Sequence, residues 1–509
     1  MDTADPRPLR DVQTLSLEAC ARGGAFLPIQ VGGGKTLITL LAPQVMRANR
    51  PVLLLPASLI EKTERDRQAY AKHWQVAKHL RYISYQALGR VSMATELETY
   101  RPDLIIADEC HRLKNLHAAC TRRVARYMKD HPETKFVGLS GTVMRRSIKD
   151  FAHLLVWSLK DQAPVPLDRD ELEEWAQCLD DDDPMVHVDP GPLGRTVEEA
   201  RAGFQKRLTS HPGIVIHQIH QSEDTAASLR VQALEYKVNE TTEQAFKTLR
   251  AEWATPTGYT FSEAIMLWKF ARELALGHWV EWDPHAPAEW LDARRDWAVR
   301  VREVLSRSRT LDSELAVRQA VRNGDQHGKE ALDAWEAIRD TFTPNPHDTW
   351  QDQGALDACH AWVSEGAGII FTGHSFFGRQ LAHRLAVPYY GAKGKNDQGQ
   401  PIEAEKGDRV VVASIQANDT GRNLQAFSRA LVTASQTDLE QLLGRLHRQG
   451  QLADEVTFDF LVGCWEHVDG FWKAVENADK QYSLTGGRYK LTFADITMPT
   501  REDIKTRAG

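Results

Sequence analysis

Gly32, Gly33, Gly34, Lys35 and Thr36 stand in a row ahead of "LITLLAPQVM", a stretch that reads as a helix. A glycine-rich turn before a helix lets backbone N–H groups and the helix N-terminus come close to phosphate oxygens. In such a loop Lys35 brings a positive charge to the β- and γ-phosphates, and the Thr36 hydroxyl is a ligand for Mg²⁺. ATP and Mg²⁺ are therefore the expected substrate and metal. The eight-residue pattern G-x-x-x-x-G-K-[ST] is not fully met, because Ile29 occupies the first glycine position. An unrelated glycine-rich turn is the alternative at this point.

A pair of carboxylates downstream narrows the choice. Asp108 and Glu109 follow the apolar run "LIIA", where a strand end would sit beside the glycine loop. Asp108 can hold Mg²⁺ directly or through water, and Glu109 is placed to orient and deprotonate an attacking water. In "QLLGRLHRQGQ", Arg445 and Arg448 are three residues apart, so a helix would present both guanidinium groups on one face. Two such arginines can stabilise charge on a transferring phosphoryl group, or they can mark a basic helix facing solvent. They lie far in sequence from the glycine loop, so the expected catalytic site is completed from two lobes. A rival reading of "CHRLKNLHAAC" takes Cys110, His111, His117 and Cys120 as a metal site, with a spacing that fits no common zinc pattern.

These residues need a frame. The chain has 509 residues, 42% hydrophobic and 26% charged, which predicts a globular protein of two or three domains. No apolar run approaches the roughly 18 residues of a membrane span, and the N-terminus lacks the pattern of a secretion signal. Six scattered cysteines without a C-x-x-C pair suit a reducing cytosol, so the cytoplasm is the expected location. The net charge of -7 gives no global argument for nucleic-acid binding. The basic cluster "TRRVARYMK" (121–129) reads as a solvated helix face.

Apolar runs at 51–56, 103–108 and 135–140 read as buried parallel strands alternating with helices, which predicts an α/β first lobe over 1–160. Further runs in "GAGIIFTG", "DRVVVASI" and "RALVTA" predict a second α/β lobe over 366–509. Between them, 161–365 reads as a mainly helical insert and linker. Nine of the 14 tryptophans fall in its later part, between Trp253 and Trp362 inclusive, and core packing is their expected role.

The ordered motifs resemble those of superfamily 2 helicases and translocases, most closely the Swi/Snf-type branch with its DEAH-like motif II. "LRDVQ" (9–13) resembles the element whose glutamine, here Gln13, reads adenine. "GGGKT" is similar to motif I, "LLLPASLI" to motif Ia, "ADECHRLKN" to motif II and "LSGT" (139–142) to motif III. "IIFTGHS" resembles motif IV, "SIQANDTGRNLQ" motif V and "QLLGRLHRQGQ" motif VI. The resemblance covers about 1–160 and 366–460. It implies two RecA-like lobes with parallel sheets, and an ATPase coupled to movement along DNA in replication, recombination or repair. His111, Ser140, Thr142 and Gln441 are then the residues coupling ATP to nucleic acid. Ser58, Ser84, Thr372 and Asn423 are the backbone contacts, with Arg145 or Arg146 as further candidates.

The implied partner is duplex or forked DNA with little sequence preference, with replication or recombination proteins beside it and no membrane. So compact a motor resembles helicases of bacteriophages and mobile elements, whose location is the host cytoplasm. Motif V departs from the branch: Asn418 and Asp419 stand where two glycines are usual, and both residue types tolerate left-handed backbone. Two other readings stay open: an RNA helicase, and a nucleotide-gated clamp without turnover. An inactivated motor usually shows a broken Lys, Glu or Arg, and Lys35, Glu109, Arg445 and Arg448 are all in place.

Overall fold

A computed structural model describes residues 8–30, 32–141, 147–180, 193–194, 196–216, 227–252, 255, 264–284, 286–307, 311, 314–323, 328–343, 345–418, 422–434, 439–487 and 489–503. Thr142, Arg145, Arg146 and Asp419, all singled out above, lie outside the described residues. The chain is α/β, with two parallel sheets in two RecA-like lobes and a mainly helical stretch between them in sequence. It divides into two compact units, 1–218 with 286–344 and 481–487, and 219–285 with 345–480 and 488–509.

The first unit holds five parallel strands: β1 (Ala25–Pro28), β2 (Pro51–Leu55), β3 (Arg81–Ser84), β4 (Leu104–Asp108) and β5 (Lys135–Ser140). Their order is β1-β5-β4-β2-β3, so β5 separates the strand before the glycine loop from the strand before Glu109. Leu53, Leu55, Leu104 and Ile106 face one core while Val52, Leu54, Ile105 and Ala107 face another. Burial on both faces explains why these strands read as continuous apolar runs. The same unit includes the helices Ala288–Arg307, Glu314–Arg322 and Lys329–Ile338, which share a small core of Trp297, Val301, Val317, Val321 and Leu332.

The second unit holds seven parallel strands and a separate antiparallel pair. In chain order these are β6 (Ser228–Glu235), β7 (His278–Trp282), β8 (Pro346–Trp350), β9 (Gly368–Thr372), β10 (Tyr389–Tyr390), β11 (Val410–Ser414), β12 (Arg429–Val432), β13 (Glu455–Val462) and β14 (Asp495–Thr497). The large sheet runs β10-β11-β9-β12-β13-β6-β14, and β7 pairs with β8. Strand β6 comes from 228–235, within the stretch read as helical. Several tryptophans of that stretch are buried as expected: Trp279, Trp290, Trp297 and Trp362. Trp290 meets Trp335 and Phe342 edge-on at centroid distances of 5.1 and 5.3 Å.

One local expectation is corrected. The helix Ala119–Asp130 keeps Lys129 exposed and Arg122 and Arg126 half-buried, but Arg123 is only 1% exposed. Its guanidinium donates to the carbonyls of Leu88 and Arg90, pinning the short helix Tyr85–Leu88. A charged fork that satisfies two main-chain acceptors can be buried where a solitary charge cannot.

Candidate nucleotide site

Strand register brings the first set of residues together. Pro28 pairs with Ser140 and Leu139 with Asp108, so β1, β5 and β4 end at the same level. The carboxyl edge of a parallel sheet is where an open α/β fold binds ligands. From β1 the chain turns through the glycine loop into the helix Lys35–Val45, whose N-terminus therefore opens at this edge. Gly32 and Gly34 have φ of 97° and 79°, in the left-handed region that favours glycine. Gly33 lies buried between them.

Lys35 is the first residue of that helix, with Thr36 next and half-buried. The Lys35 amine donates to the Ile29 carbonyl at 3.2 Å and lies 3.3 Å from Glu109 Oε1. Gln13 reaches the same loop: its Nε2 donates to the Gly34 carbonyl at 3.4 Å and its Oε1 accepts from Arg10 N–H at 3.0 Å. Arg10 Nη1 in turn donates to the Gly32 carbonyl at 2.7 Å. A Cβ on Gly34 would stand 2.2 Å from Gln13 Nε2. Gly34→Ala should therefore displace Gln13 and force a left-handed alanine, which costs about 1–2 kcal/mol. The expected outcome is ATP affinity reduced about tenfold, read by equilibrium binding of ATP to the purified variant. Affinity equal to wild type would show that the loop backbone is not a ligand.

Asp108 and Glu109 are both buried at the end of β4. Glu109 adopts φ 56°, unusual for a residue with a side chain. The backbone around it is tied down by Tyr85, whose hydroxyl donates to the Asp108 carbonyl at 2.7 Å, and by Glu109 N–H, which donates to Asp108 Oδ1 at 3.1 Å. His111 Nδ1 lies 2.8 Å from Ser140 Oγ and 3.4 Å from Glu109 Oε2. Lys35, Glu109, His111 and Ser140 thus form one chain of polar contacts, from the end of β1 to the end of β5.

Burial, and then the adjacent Glu109 charge, push the Asp108 carboxyl from 3.8 up to about 6, against the opposing pull of Lys35. An acid raised in the folded protein favours folding most below pH 3.8, and that contribution is lost as pH rises through 6. The difference corresponds to about 3 kcal/mol. Asp108→Asn should therefore raise the thermal unfolding midpoint at pH 8 without nucleotide or metal, with the gain shrinking toward pH 4. A midpoint shift independent of pH would remove the burial argument.

The donor set fits Mg²⁺. That ion takes one or two carboxylates and completes its shell with phosphate oxygens and water. Thr36 and Asp108 are the residues that would hold it, and a buried carboxylate resisting ionisation is one that a cation would favour. The rival metal reading finds no support. Cys110 is in the core with its thiol pushed up by burial, His117 is exposed, and His111 faces Ser140 and Glu109. Among the described residues no group of three or more His, Cys, Asp and Glu could hold a metal. No protein-family model matches the chain and no curated protein matches it.

The second unit carries the other predicted groups. The helix Glu440–Leu446 ends before Arg448, and His447 leaves helical geometry with ψ 86°. The expected single helix face is thus corrected, yet the two arginines still converge. Arg445 Nη1 and Arg448 Nη1 approach the Arg422 carbonyl oxygen at 3.3 and 3.5 Å. Arg445 and Gln441 are buried, whereas Arg448 is half-buried and donates to Asn423 Oδ1 at 2.6 Å. Asn423 is exposed. Asn418 is helical rather than left-handed, and its amide donates to the Ser414 and Tyr390 carbonyls at 2.8 and 3.2 Å.

The proposed backbone contacts fare unevenly. Ser58 is partly exposed beside the helix Ile60–Tyr70. Ser84 is buried and its Oγ caps the next helix by accepting from Ala87 N–H at 3.0 Å. Thr372, at the end of β9, is fully buried. In this arrangement neither Ser84 nor Thr372 offers a hydroxyl to a phosphate. Tyr85 and Arg123 are organising residues that motif spacing did not single out. Their signal was faint: a tyrosine after a strand and one arginine within a basic run.

Proposed function

We propose that this protein is an ATP-dependent DNA translocase or helicase of superfamily 2, which couples ATP hydrolysis to movement along DNA. The observation that carries the reading is the cluster at the edge of the first sheet. Left-handed glycines, a lysine at a helix N-terminus and the Asp108–Glu109 pair meet within one hydrogen-bonded group. In this reading the glycine loop and helix N-terminus bind the phosphates, and Lys35 exchanges Glu109 and the Ile29 carbonyl for phosphate oxygens. Release of Glu109 frees its carboxylate to orient and accept a proton from water. Mg²⁺ supplies charge neutralisation of the phosphates when bound. His111 and Ser140 relay the state of Glu109 to the end of β5, where Thr142 follows, and the arginines of the second unit stabilise the transferring phosphoryl group.

The DNA assignment draws on the motif II and VI sequences, "DECHRLKN" and "HRQGQ", with the cytoplasm as the expected setting. Replication or recombination proteins are the proposed companions. Among the described residues no helix is long and apolar enough to cross a membrane. The test is to compare hydrolysis stimulated by duplex DNA, forked DNA, single-stranded DNA and RNA. Duplex DNA should stimulate most, and displacement of a third strand from a triplex should then require ATP. Stronger stimulation by RNA would make it an RNA helicase, and binding without turnover would make it a clamp.

A further inference from the structure

The segment between β10 and β11 is short, yet it is fastened to the arginine pair. Arg422 is 5% exposed, and its Nη1 donates to both oxygens of Glu403 at 2.9 and 3.0 Å. Its Nη2 donates to the Lys393 carbonyl. Gly394, at φ 64°, makes room for this: a Cβ there would stand 2.6 Å from Arg422 Nη2 and 2.7 Å from Asn418 Oδ1. The side chain of Arg422 is thus held at two points of the 391–405 segment, while its carbonyl oxygen is the acceptor on which Arg445 and Arg448 converge. The next residues tighten the same seam. Asn423 Oδ1 accepts from Arg448, and Leu424 N–H donates to the Arg445 carbonyl at 3.2 Å.

The geometry points to Glu403 and Arg422 as positioning residues for the transition-state arginines. Their ion pair fixes the main chain at Arg422, and the main chain at Arg422 fixes Arg445 and Arg448. The inference rests on the ATPase reading above. Glu403 is paired with Arg422, so its effect is taken to travel through the Arg422 main chain to the arginines. One planar guanidinium holds Glu403 through Nη1 and the Lys393 carbonyl through Nη2, which restrains direction as well as distance, and the single nitrogen of a lysine at 422 does not reproduce both contacts in that plane. Loss of either partner leaves the arginines in the protein but no longer held at one orientation.

The experiment uses the full chain and compares wild type, Glu403→Gln, Arg422→Lys, Arg448→Lys and the Glu403→Gln/Arg448→Lys double variant. ATP hydrolysis is followed with saturating duplex DNA. Glu403→Gln should lower kcat about tenfold, as slight misplacement of a catalytic group does, with KM for ATP and the unfolding midpoint near wild type. Arg422→Lys should follow it. In the Arg448→Lys background, Glu403→Gln should cost less than the tenfold it costs alone, because the part of its effect that runs through Arg448 is already lost and only the part through Arg445 remains. Independent, multiplicative losses in the double variant would overturn the inference, as would an unchanged kcat in Glu403→Gln. Absence of hydrolysis in wild type would instead refute the ATPase reading itself.

Discussion

Glu109→Gln should bind ATP as tightly as wild type and hydrolyse it about a hundredfold more slowly, or worse. Glutamine keeps the volume of the side chain and fills the same buried site at the end of β4, so the fold is not at issue. It also keeps an oxygen for Lys35, now 3.3 Å from Glu109 Oε1, and a polar group for His111. What it loses is the ability to accept a proton from water. The variant therefore separates binding from chemistry. Equilibrium binding of ATP and single-turnover hydrolysis are the two measurements. Hydrolysis within a few-fold of wild type would assign Glu109 a structural role in the Lys35 contact alone.

Arg448→Ala should lose turnover on the order of a thousandfold while ATP binding changes little. Arg448 is the better of the two arginines to test. Arg445 is buried in its helix, 2% exposed, and its removal would disturb packing as well as chemistry. Arg448 sits in the turn beyond the helix, half-buried, with Asn423 and the Arg422 carbonyl as acceptors that orient it. Steady-state hydrolysis with saturating DNA, paired with a melting curve, gives the answer. Wild-type turnover in a folded Arg448→Ala protein would remove the second unit from the catalytic account.

The sequence was most legible where structure is local. Strands β2, β4, β5, β9, β11 and β12 fall on the apolar runs that predicted them, because parallel strands buried on both faces tolerate little else. The glycine loop and Asp108–Glu109 were legible for a related reason: their placement after β1 and β4 depends on residues adjacent in the chain. Strand β6, "SLRVQALE", was hidden because polar and apolar residues alternate in it, within a stretch rich in helix formers. In β13 the run is broken by Asp459, which is buried with Arg429 3.9 Å away and with Gln232 and Trp362 donating to it at 2.7 and 2.6 Å. Those partners lie 227 and 97 residues away, beyond any local pattern.

Long-range contacts also end the helix Glu440–Leu446 short of Arg448. His447 is fixed by the Ala227 carbonyl at 2.9 Å and the Lys490 amine at 3.1 Å, and the chain leaves the helix there. Ser84 shows a different limit. A serine after a strand can cap the next helix or meet a phosphate, and only the Ala87 N–H contact decides that it caps.

The most direct measurement is phosphate release from ATP by wild type and by Lys35→Ala, each with and without duplex DNA. The account predicts Mg²⁺-dependent release by wild type, raised by DNA, and none above background from Lys35→Ala, whose amine is the charge placed at the helix N-terminus. Equal release by both proteins, or none by wild type under either condition, would contradict it.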